Sequence, residues 1–379
     1  MVIGLLGLGT VGGGVYEMLA SRPDIRVKYI CCLERPDNVS AIVTRDLNQI
    51  LEDPEVDTVV ELMGGLDPAL DYVTRSLKAG RHVVTANKLL LAHHYGELRK
   101  LALEQGVSLR YTAAAGGGIG WLTALERCRR ADVIHEVSGI VNGTTNYILD
   151  TMHLSPVSFQ AALSRAQDFG YAEKDPSADI DGWDSMHKLV ISANVAFGTC
   201  LKPEQVLVRG IRTIQRRDID TFLAHGYCCR LLATAEHYAD TYTAVVEPTL
   251  VEQKDMEAAV HSNYNLISFV SRQAGKQSFY GQGAGRYPTA YNVVQDLIDV
   301  AAMRAGGFSA TGEDARVDNR SYVRQYYLRT SVSDPWLWGR TEERWETGII
   351  TCRLAASELH AWAAEARQKD PELFFAALR

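Results

Sequence analysis

The chain has 379 residues, of which 46% are hydrophobic and 22% charged, which is typical of a globular protein with two or three domains. Its 39 basic and 46 acidic residues give a net charge of −7, which argues against nucleic acid or an anionic membrane as the main partner. The seven cysteines show no C-x-x-C spacing, so they indicate free thiols and not a disulfide framework or a zinc site. Since no apolar run could cross a bilayer and the chain opens on a strand, we expect a cytoplasmic protein without a signal peptide.

The first third of the chain alternates between apolar strand patterns and helical patterns. Strands are predicted at residues 2–6, 27–33, 58–62, 82–85 and 107–111, and most of the segments between them have helical periodicity. This alternation predicts a Rossmann-type, doubly wound parallel sheet with right-handed crossovers. We place this α/β domain at residues 1–131.

The pattern changes after residue 131, where the predicted strands become longer and follow one another more often. Residues 132–285 are predicted to form a mixed α/β domain with a mostly antiparallel sheet. A helix follows within 286–309, and a polar, glycine-rich linker is expected at about 306–319. Residues 310–379 are predicted to form a small α+β tail.

A glycine motif connects the first strand to the first helix. Gly7 permits a tight turn, Gly9 lets the backbone approach a pyrophosphate, and Gly12 lets helix and strand pack closely. The start of the helix then offers N–H groups and a positive dipole to the phosphates. The alternative is an ordinary glycine-rich turn, but the surrounding strands and helix favour a dinucleotide site formed by Gly7, Leu8, Gly9, Thr10, Val11 and Gly12.

Residues at the ends of three other strands bear on the same ligand. Glu34 at the end of the second strand favours NAD, whereas the adjacent Arg35 favours NADP, so the sequence leaves the preference open. Gly64 and Lys88 follow the third and fourth strands, where ligands of such sheets bind. Lys88 is therefore a candidate for the place where nicotinamide and substrate meet, although a solvated lysine at a helix start would have the same pattern.

A polar cluster opens the helix that is predicted to begin near residue 183. Its carboxylates lie close to a lysine: Glu173, Asp179, Asp181, Asp184 and Lys188. Asp184 and Lys188 are four residues apart and so share one face of a helix. Carboxylates bind an ammonium group and a lysine can move a proton, so the cluster suits a small zwitterionic amino acid. An exposed ion pair of little energetic value is the alternative.

Five motifs occur in order behind the glycine loop: ELMGG, TANK, VNGTTNYIL, GYAEKDPSADIDGWDSMHK and GQGAGRYPTA. Together they resemble the homoserine dehydrogenase family over residues 2–305. The resemblance implies a homodimer that interconverts L-homoserine and L-aspartate 4-semialdehyde by hydride transfer with NAD or NADP, in amino-acid biosynthesis. It also implies that residues 132–285 serve substrate binding and dimerisation.

The resemblance further implies roles for individual residues. Lys188 is the expected proton donor for aldehyde reduction, and Lys88 is expected to position substrate and nicotinamide and to be a second candidate for proton transfer. Glu173 should bind the substrate ammonium, with Asp179 and Asp184 orienting that pocket and Lys188. The loop that returns to the cofactor corresponds to Gly283, Ala284 and Gly285.

Two segments depart from the family pattern. Thr112 stands where a glutamate is expected to help hold a monovalent cation, so a sodium site is doubtful, and only weak carbonyl ligands remain at Ala115, Gly117 and Ile119. The tail resembles the start of a regulatory ACT domain but has Trp336-Leu337-Trp338 in place of its glycine turn. We therefore predict a degenerate ACT-like tail without threonine feedback, whose two tryptophans pack against the body of the protein or another subunit.

Two other functions are compatible with the same motifs. One is a catalytically silent NAD(P)-binding sensor or subunit, and the other is a related dehydrogenase that acts on another amino-acid aldehyde. The five charged residues of the expected site are all present, whereas a decayed enzyme would be expected to lose at least one: Lys88, Glu173, Asp179, Asp184 and Lys188.

Overall fold

The computed structural model describes residues 1–34, 39–302 and 314–379. Arg35 and most of the predicted linker at 306–319 therefore lie outside the described residues. The chain forms two compact units. The first unit comprises Met1–Val133, Val190–Lys202 and Gly281–Asp314, and the second comprises Ile134–Leu189, Pro203–Tyr280 and Ala315–Arg379. The division into domains at 131, 285 and 309 stays a prediction.

The strands in chain order are β1 (Val2–Leu6), β2 (Arg26–Cys31), β3 (Ile42–Thr44), β4 (Thr58–Glu61), β5 (His82–Thr85), β6 (Leu109–Arg110), β7 (Ile134–Ile140), β8 (Leu207–Val208), β9 (Tyr227–Tyr238), β10 (Thr241–Glu252), β11 (Tyr264–Ser271), β12 (Gly275–Gln282), β13 (Val323–Arg329), β14 (Thr341–Arg344), β15 (Ile349–Thr351), β16 (Leu354–Ala355) and β17 (Phe374–Leu378). The α-helices are α1 (Thr10–Leu19), α2 (Asn48–Leu51), α3 (Ala69–Lys78), α4 (Lys88–Glu104), α5 (Trp121–Arg129), α6 (Gly143–Leu154), α7 (Phe159–Asp168), α8 (Ser177–Ile180), α9 (Trp183–Phe197), α10 (Arg216–Ala224), α11 (Arg286–Ala301), α12 (Pro335–Trp338) and α13 (Ala356–Ala366).

The first unit contains a six-stranded sheet in the order β3-β2-β1-β4-β5-β6, and all of its strand pairs are parallel. The Rossmann-type, doubly wound sheet predicted from the alternation is thereby confirmed. Apolar side chains of β1, α1 and α11 form its main core, which includes Leu5, Val15 and Leu297, all fully buried. The short strand β3 was not predicted, because three residues are too few to show a period.

The second unit contains a mixed sheet whose main path runs β12-β11-β7-β9-β10-β17-β13-β15-β14. Most of its strand pairs are antiparallel, as predicted, but β10 pairs in parallel with both β8 and β17. The tail strands thus continue the sheet of residues 134–280. Strand β8 is only two residues long, and Gly210, which follows it closely, packs against the backbone of Ile180 and Asp181.

The tail strands β13 and β17 pack against α13 around a core that includes Tyr326, Leu359 and Phe375. Trp336 stacks on Trp362 with ring centroids 4.9 Å apart. One of the two tryptophans expected on a packing surface is thus packed within the tail itself. Trp338 is 64% exposed, and the ACT-like character of the tail stays a prediction. Within the described ranges, no helix is long and apolar enough to cross a membrane.

Candidate active site

The glycine loop of the first unit lies between the carboxyl end of β1 and the start of α1. Gly7 has a φ of +90°, and a Cβ there would lie 2.9 Å from the carbonyl oxygen of Leu62. A Cβ on Gly12 would overlap the carbonyl oxygen of Gly7, so the turn and the helix meet only if both residues are glycine. Gly9 is the N-cap of α1, is exposed and has open space around its Cα. The loop is therefore shaped to admit a phosphate beside a helix start.

Two glycine substitutions in this loop are expected to have different effects. Gly12→Ala should destabilise the fold by about 1–3 kcal/mol, because the added methyl group forces β1 and α1 apart. Gly9→Ala should leave the thermal midpoint unchanged but weaken NADPH binding, because only a bound pyrophosphate would meet the methyl group. Thermal unfolding and fluorescence titration with NADPH measure the two effects. Equal loss of stability in both variants would contradict this assignment.

A hydrogen-bond network fixes the ends of β4 and β5. The buried Glu61 accepts hydrogen bonds from the backbone N–H of Met63 at 2.8 Å and from the Thr85 hydroxyl at 2.6 Å. Asn87 caps α4 by accepting from Leu90 N, and its amide donates to the carbonyl oxygen of Gly65 at 2.7 Å. The chain reversal next to Gly64 is thereby tied to the start of α4.

Lys88 is the first residue of α4 and is half-buried. It lies at the carboxyl edge of the sheet, as predicted, directly after the Asn87 cap. Because Glu61 and Asn87 fix this helix start, Lys88 has a defined position at the edge where ligands of such sheets bind. Arg45, which follows β3, donates to the carbonyl oxygen of Leu33 and places a guanidinium near the end of β2. Sequence reasoning missed Arg45 because β3 was not predicted.

The glycines near residue 283 also belong to the first unit. Gly283 is buried, while Ala284 and Gly285 are exposed at the start of α11, where Gly285 is the N-cap. The backbone N–H of Gly118 donates to Gln282 O at 3.1 Å, so the 116–118 turn packs against this segment. Two of the three residues of the predicted cofactor loop are therefore exposed, and a neighbouring turn packs against the segment that contains them.

Side-chain hydrogen bonds hold the segment that contains the three candidate carbonyl ligands of a monovalent cation. Thr112 donates to Asp296 from both its backbone N–H, at 2.8 Å, and its hydroxyl, at 2.6 Å. Burial raises the pKa of Asp296 to about 7, although both hydrogen bonds from Thr112 oppose the shift. The side-chain amide of Asn292 donates to the carbonyl oxygens of Gly117 and Ile119, two of the three candidate ligands. An amide N–H group thus points at the oxygens that a cation would need, and the third candidate, Ala115, is buried.

The second unit brings the predicted acidic cluster together around a buried ion pair. Lys188 Nζ donates to Asp184 Oδ2 at 2.7 Å and to the carbonyl oxygen of Val141 at 2.8 Å. Lys188 is only 8% exposed and Asp184 only 6%. The i,i+4 spacing on α9 therefore produces a fixed and buried pair, and the alternative of an exposed, weak ion pair is wrong.

Asn142 connects this pair to a second carboxylate. Its side-chain amide donates to Asp179 Oδ1 at 2.7 Å and to Asp184 Oδ2 at 2.8 Å. Its oxygen accepts from the backbone N–H of Thr145 at 2.8 Å and so caps α6. Burial raises the pKa of Asp179, and the negative charge of Asp184 adds to that shift. Two carboxylates are thus kept close together by one neutral amide and one lysine.

Two of the predicted carboxylates lie apart from this pair. Glu173 is exposed in the loop before α8, and no hydrogen bond in the described structure joins it to Lys188. Asp181 accepts two hydrogen bonds from Arg212, both at 2.7 Å, which makes it the partner of an arginine. The bridging role of Asn142 was missed, because its partners are 37 and 42 residues away and no local pattern signals them. Its only local feature is its place as the N-cap of α6, shortly after β7.

Two family models match separate parts of this chain. The family described as "Homoserine dehydrogenase, NAD binding domain" matches residues 7–112, and the family described as "Homoserine dehydrogenase" matches residues 121–298. The homoserine dehydrogenase of Bacillus subtilis is 35% identical over 352 residues, which cover 88% of this chain and 81% of the relative. That of Synechocystis is 36% identical, with 87% and 79% covered.

Solved structures extend the similarity to the tail. The crystal structure of a homoserine dehydrogenase from Thiobacillus denitrificans superposes with a TM-score of 0.89 at 30% identity, covering 100% of this chain and 98% of that one. A structure of the S. aureus homoserine dehydrogenase superposes with a TM-score of 0.79 at 29% identity and the same coverage. The motifs, the fold and these relatives agree, and the chain belongs to the homoserine dehydrogenase family.

Proposed function

We propose that this protein is an NAD(P)-dependent oxidoreductase that interconverts L-homoserine and L-aspartate 4-semialdehyde. Membership of the family supports the reaction, and the glycine loop of the first unit supports the cofactor. The observation that carries the proposal is the buried cluster of the second unit, where Asn142 joins Asp179 to the Asp184–Lys188 pair.

The charge of that cluster suits an amino acid. The cluster holds the buried Asp184 and Lys188 and the half-buried Asp179. Two carboxylates and one ammonium group leave one negative charge that the lysine does not balance. An unbalanced buried charge is costly, and a ligand ammonium group would neutralise it. The raised pKa of Asp179 is a sign of that cost. We assign Asp179 to the substrate ammonium, together with Glu173, which is exposed in the loop before α8.

Lys188 is the group that we assign to proton transfer. When NAD(P)H is bound, it supplies the hydride that reaches the aldehyde carbon of the substrate. The developing alkoxide oxygen then needs a proton, which the Lys188 ammonium group donates, while Asp184 and the Val141 carbonyl hold that group in place. In the oxidative direction the same nitrogen accepts the hydroxyl proton. Lys88, at the carboxyl edge of the parallel sheet, positions substrate and nicotinamide.

The cofactor preference and the assembly belong to this proposal as well. The guanidinium of Arg45 lies near the end of β2 and favours the extra phosphate of NADP. In the sequence, Arg35 also favours NADP, whereas Glu34, which directly precedes it, favours NAD. A cytoplasmic homodimer is proposed on the family resemblance, and light scattering of the purified protein would measure the assembly.

A spectrophotometric assay tests the proposed reaction. The absorbance of NADH or NADPH is followed at 340 nm with L-homoserine and, in reverse, with aspartate semialdehyde. We expect turnover with both substrates and at least one cofactor. Cofactor binding without turnover of either substrate would identify a silent sensor, and a higher kcat/KM for another amino-acid aldehyde would identify a related dehydrogenase.

We expect the activity to be independent of Na⁺ and K⁺, because Asn292 and Asp296 hold the 112–119 segment by hydrogen bonds. The wild-type protein is assayed, and its thermal midpoint measured, in tetramethylammonium buffer with and without added NaCl or KCl at constant ionic strength. Asn292→Ala removes both amide hydrogen bonds. It should lower the free energy of unfolding by about 1–3 kcal/mol and, with it, the thermal midpoint. A selective rise of wild-type activity or midpoint on adding Na⁺ or K⁺ would contradict this expectation.

A further inference from the structure

An arginine-lined cleft of about 300 Å³ lies in the second unit beside the turn between α8 and α9. Its lining includes Arg209, Arg212 and Arg367, with Asp181 as the one carboxylate and Trp183 as the one aromatic side chain among its lining residues. Three guanidinium groups against one carboxylate leave two unbalanced positive charges. Trp183 is 49% exposed, although most tryptophans of a folded protein bury more of their surface.

The carboxylate is already engaged. Asp181 accepts from Nε and Nη2 of Arg212 at 2.7 Å each, so this pair is a bidentate salt bridge. The negative charge of Asp181 therefore pairs with Arg212, and no carboxylate of the cleft lining pairs with Arg209 or Arg367.

Arg209 is the residue that makes this arrangement unusual. It is only 8% exposed and lies between β8 and α10, with its guanidinium 5.5 Å from the ring centre of Phe375. Its Nη2 donates to Leu373 O and Thr213 Oγ1, but its buried Nε has no hydrogen-bond partner among the described residues. Burial and, secondly, the positive charge of Arg367 lower the pKa of Arg209 to about 10. A buried guanidinium beside a second arginine is costly unless an anion joins them.

We propose that this cleft binds a small dianion whose oxygen atoms are held by Arg209 and Arg367. Planar guanidinium groups bind phosphate and carboxylate oxygens in pairs, so phosphate monoesters and dicarboxylates are the two matching classes. The exposed indole of Trp183 offers an apolar or planar part of the same ligand a surface to pack on. The cleft has the volume of a site for a small metabolite.

Ligand binding is measured on the full-length protein by the quenching of tryptophan fluorescence and by calorimetry. Inorganic phosphate, succinate and acetate are titrated at constant ionic strength, with KCl as the control salt. We expect saturable binding of phosphate or succinate, at least tenfold weaker binding of acetate, and loss of the fluorescence change in Trp183→Phe. Saturation by phosphate alone would assign the site to phosphate compounds, and saturation by succinate alone to dicarboxylates.

Arg367→Ala is the diagnostic variant, because Arg367 is exposed at the end of α13 and its removal should not disturb folding. It should weaken binding at least tenfold. Arg127→Ala is the matched control, since it removes the same charge from an exposed position on α5 of the first unit. Non-saturating titrations, equal effects of KCl, or equal affinities of wild type and Arg367→Ala would overturn the site.

A consequence for the reaction follows from the position of the cleft, and it rests on the proposed function. Asp181 and Trp183 lie in the chain between Asp179 and Asp184, so a bound anion contacts the turn that joins α8, which carries Asp179, to α9, which carries Asp184. We expect saturating phosphate or succinate to change the KM for L-homoserine in wild type but not in Arg367→Ala. An unchanged KM, or a change that Arg367→Ala keeps, would overturn this coupling, whereas the binding titrations need no turnover.

Discussion

Replacing Lys188 with alanine is expected to lower kcat for L-homoserine by about 10²- to 10⁴-fold, the usual contribution of general acid–base catalysis. The physical reason is that Lys188 Nζ, fixed at 2.7 Å from Asp184 and 2.8 Å from the Val141 carbonyl, is the group assigned to proton transfer. NADPH affinity should be unchanged, because the glycine loop belongs to the other unit. Steady-state kinetics and a fluorescence titration with NADPH measure the two quantities.

This variant also leaves the buried carboxylate of Asp184 without its cation. Breaking a buried ion pair on one side costs about 3–5 kcal/mol, so the thermal midpoint must be recorded together with the rates. The double variant Lys188→Met/Asp184→Asn removes both charges and should recover most of the lost stability without recovering turnover. Lys174→Ala, an exposed lysine of the same segment, is the control and should turn over normally. Near-normal kcat in a folded Lys188→Ala protein would refute the assignment of the proton donor.

The parts of the fold that were predictable are those in which the local sequence determines the structure. β1 and β5 have the bounds that the apolar runs predict, and the glycines after residue 6 mark the turn into α1. The i,i+4 spacing of Asp184 and Lys188 correctly predicted a shared helix face, because that contact lies within one turn. Local patterns therefore predicted individual strands, the glycine turn and the ion pair on α9.

The contacts that were not predicted join segments far apart in the chain. Asn142 is the N-cap of α6, but its bridge to Asp179 and Asp184 depends on the tertiary packing of α6 against the segment that begins α9. In the same way, Arg209 and Arg367 come together only because the tail strands extend the sheet of β9 and β10. Single-sequence patterns carry no information on such pairs, since neither partner shows a period or spacing that refers to the other.

Asp179→Asn is expected to make the protein more stable at neutral pH and at the same time a poorer enzyme. The pKa of Asp179 is raised in the folded state, mainly by burial and secondly by the charge of Asp184. A carboxyl group with a raised folded-state pKa stabilises the fold below its unfolded pKa, near 3.8, and this contribution is lost as pH rises through the folded pKa. The neutral amide avoids that loss and can still accept the hydrogen bond from Asn142.

The thermal midpoint of Asp179→Asn should therefore exceed that of wild type at pH 7, and the difference should disappear below about pH 4. The KM for L-homoserine should rise about 10- to 100-fold, because one hydrogen bond to a charged group is worth about 1.5–3 kcal/mol. Asp175→Asn is the matched control with the opposite sign. Hydrogen bonding from Ser177 lowers the pKa of Asp175, so the ionised form of Asp175 stabilises the fold at neutral pH and the amide should lower the midpoint there. A lower midpoint for Asp179→Asn at pH 7 would show that burial does not dominate at this carboxylate, and an unchanged KM would remove Asp179 from the ammonium site. The buried negative charge of the cluster would then be a cost to folding with no substrate to balance it.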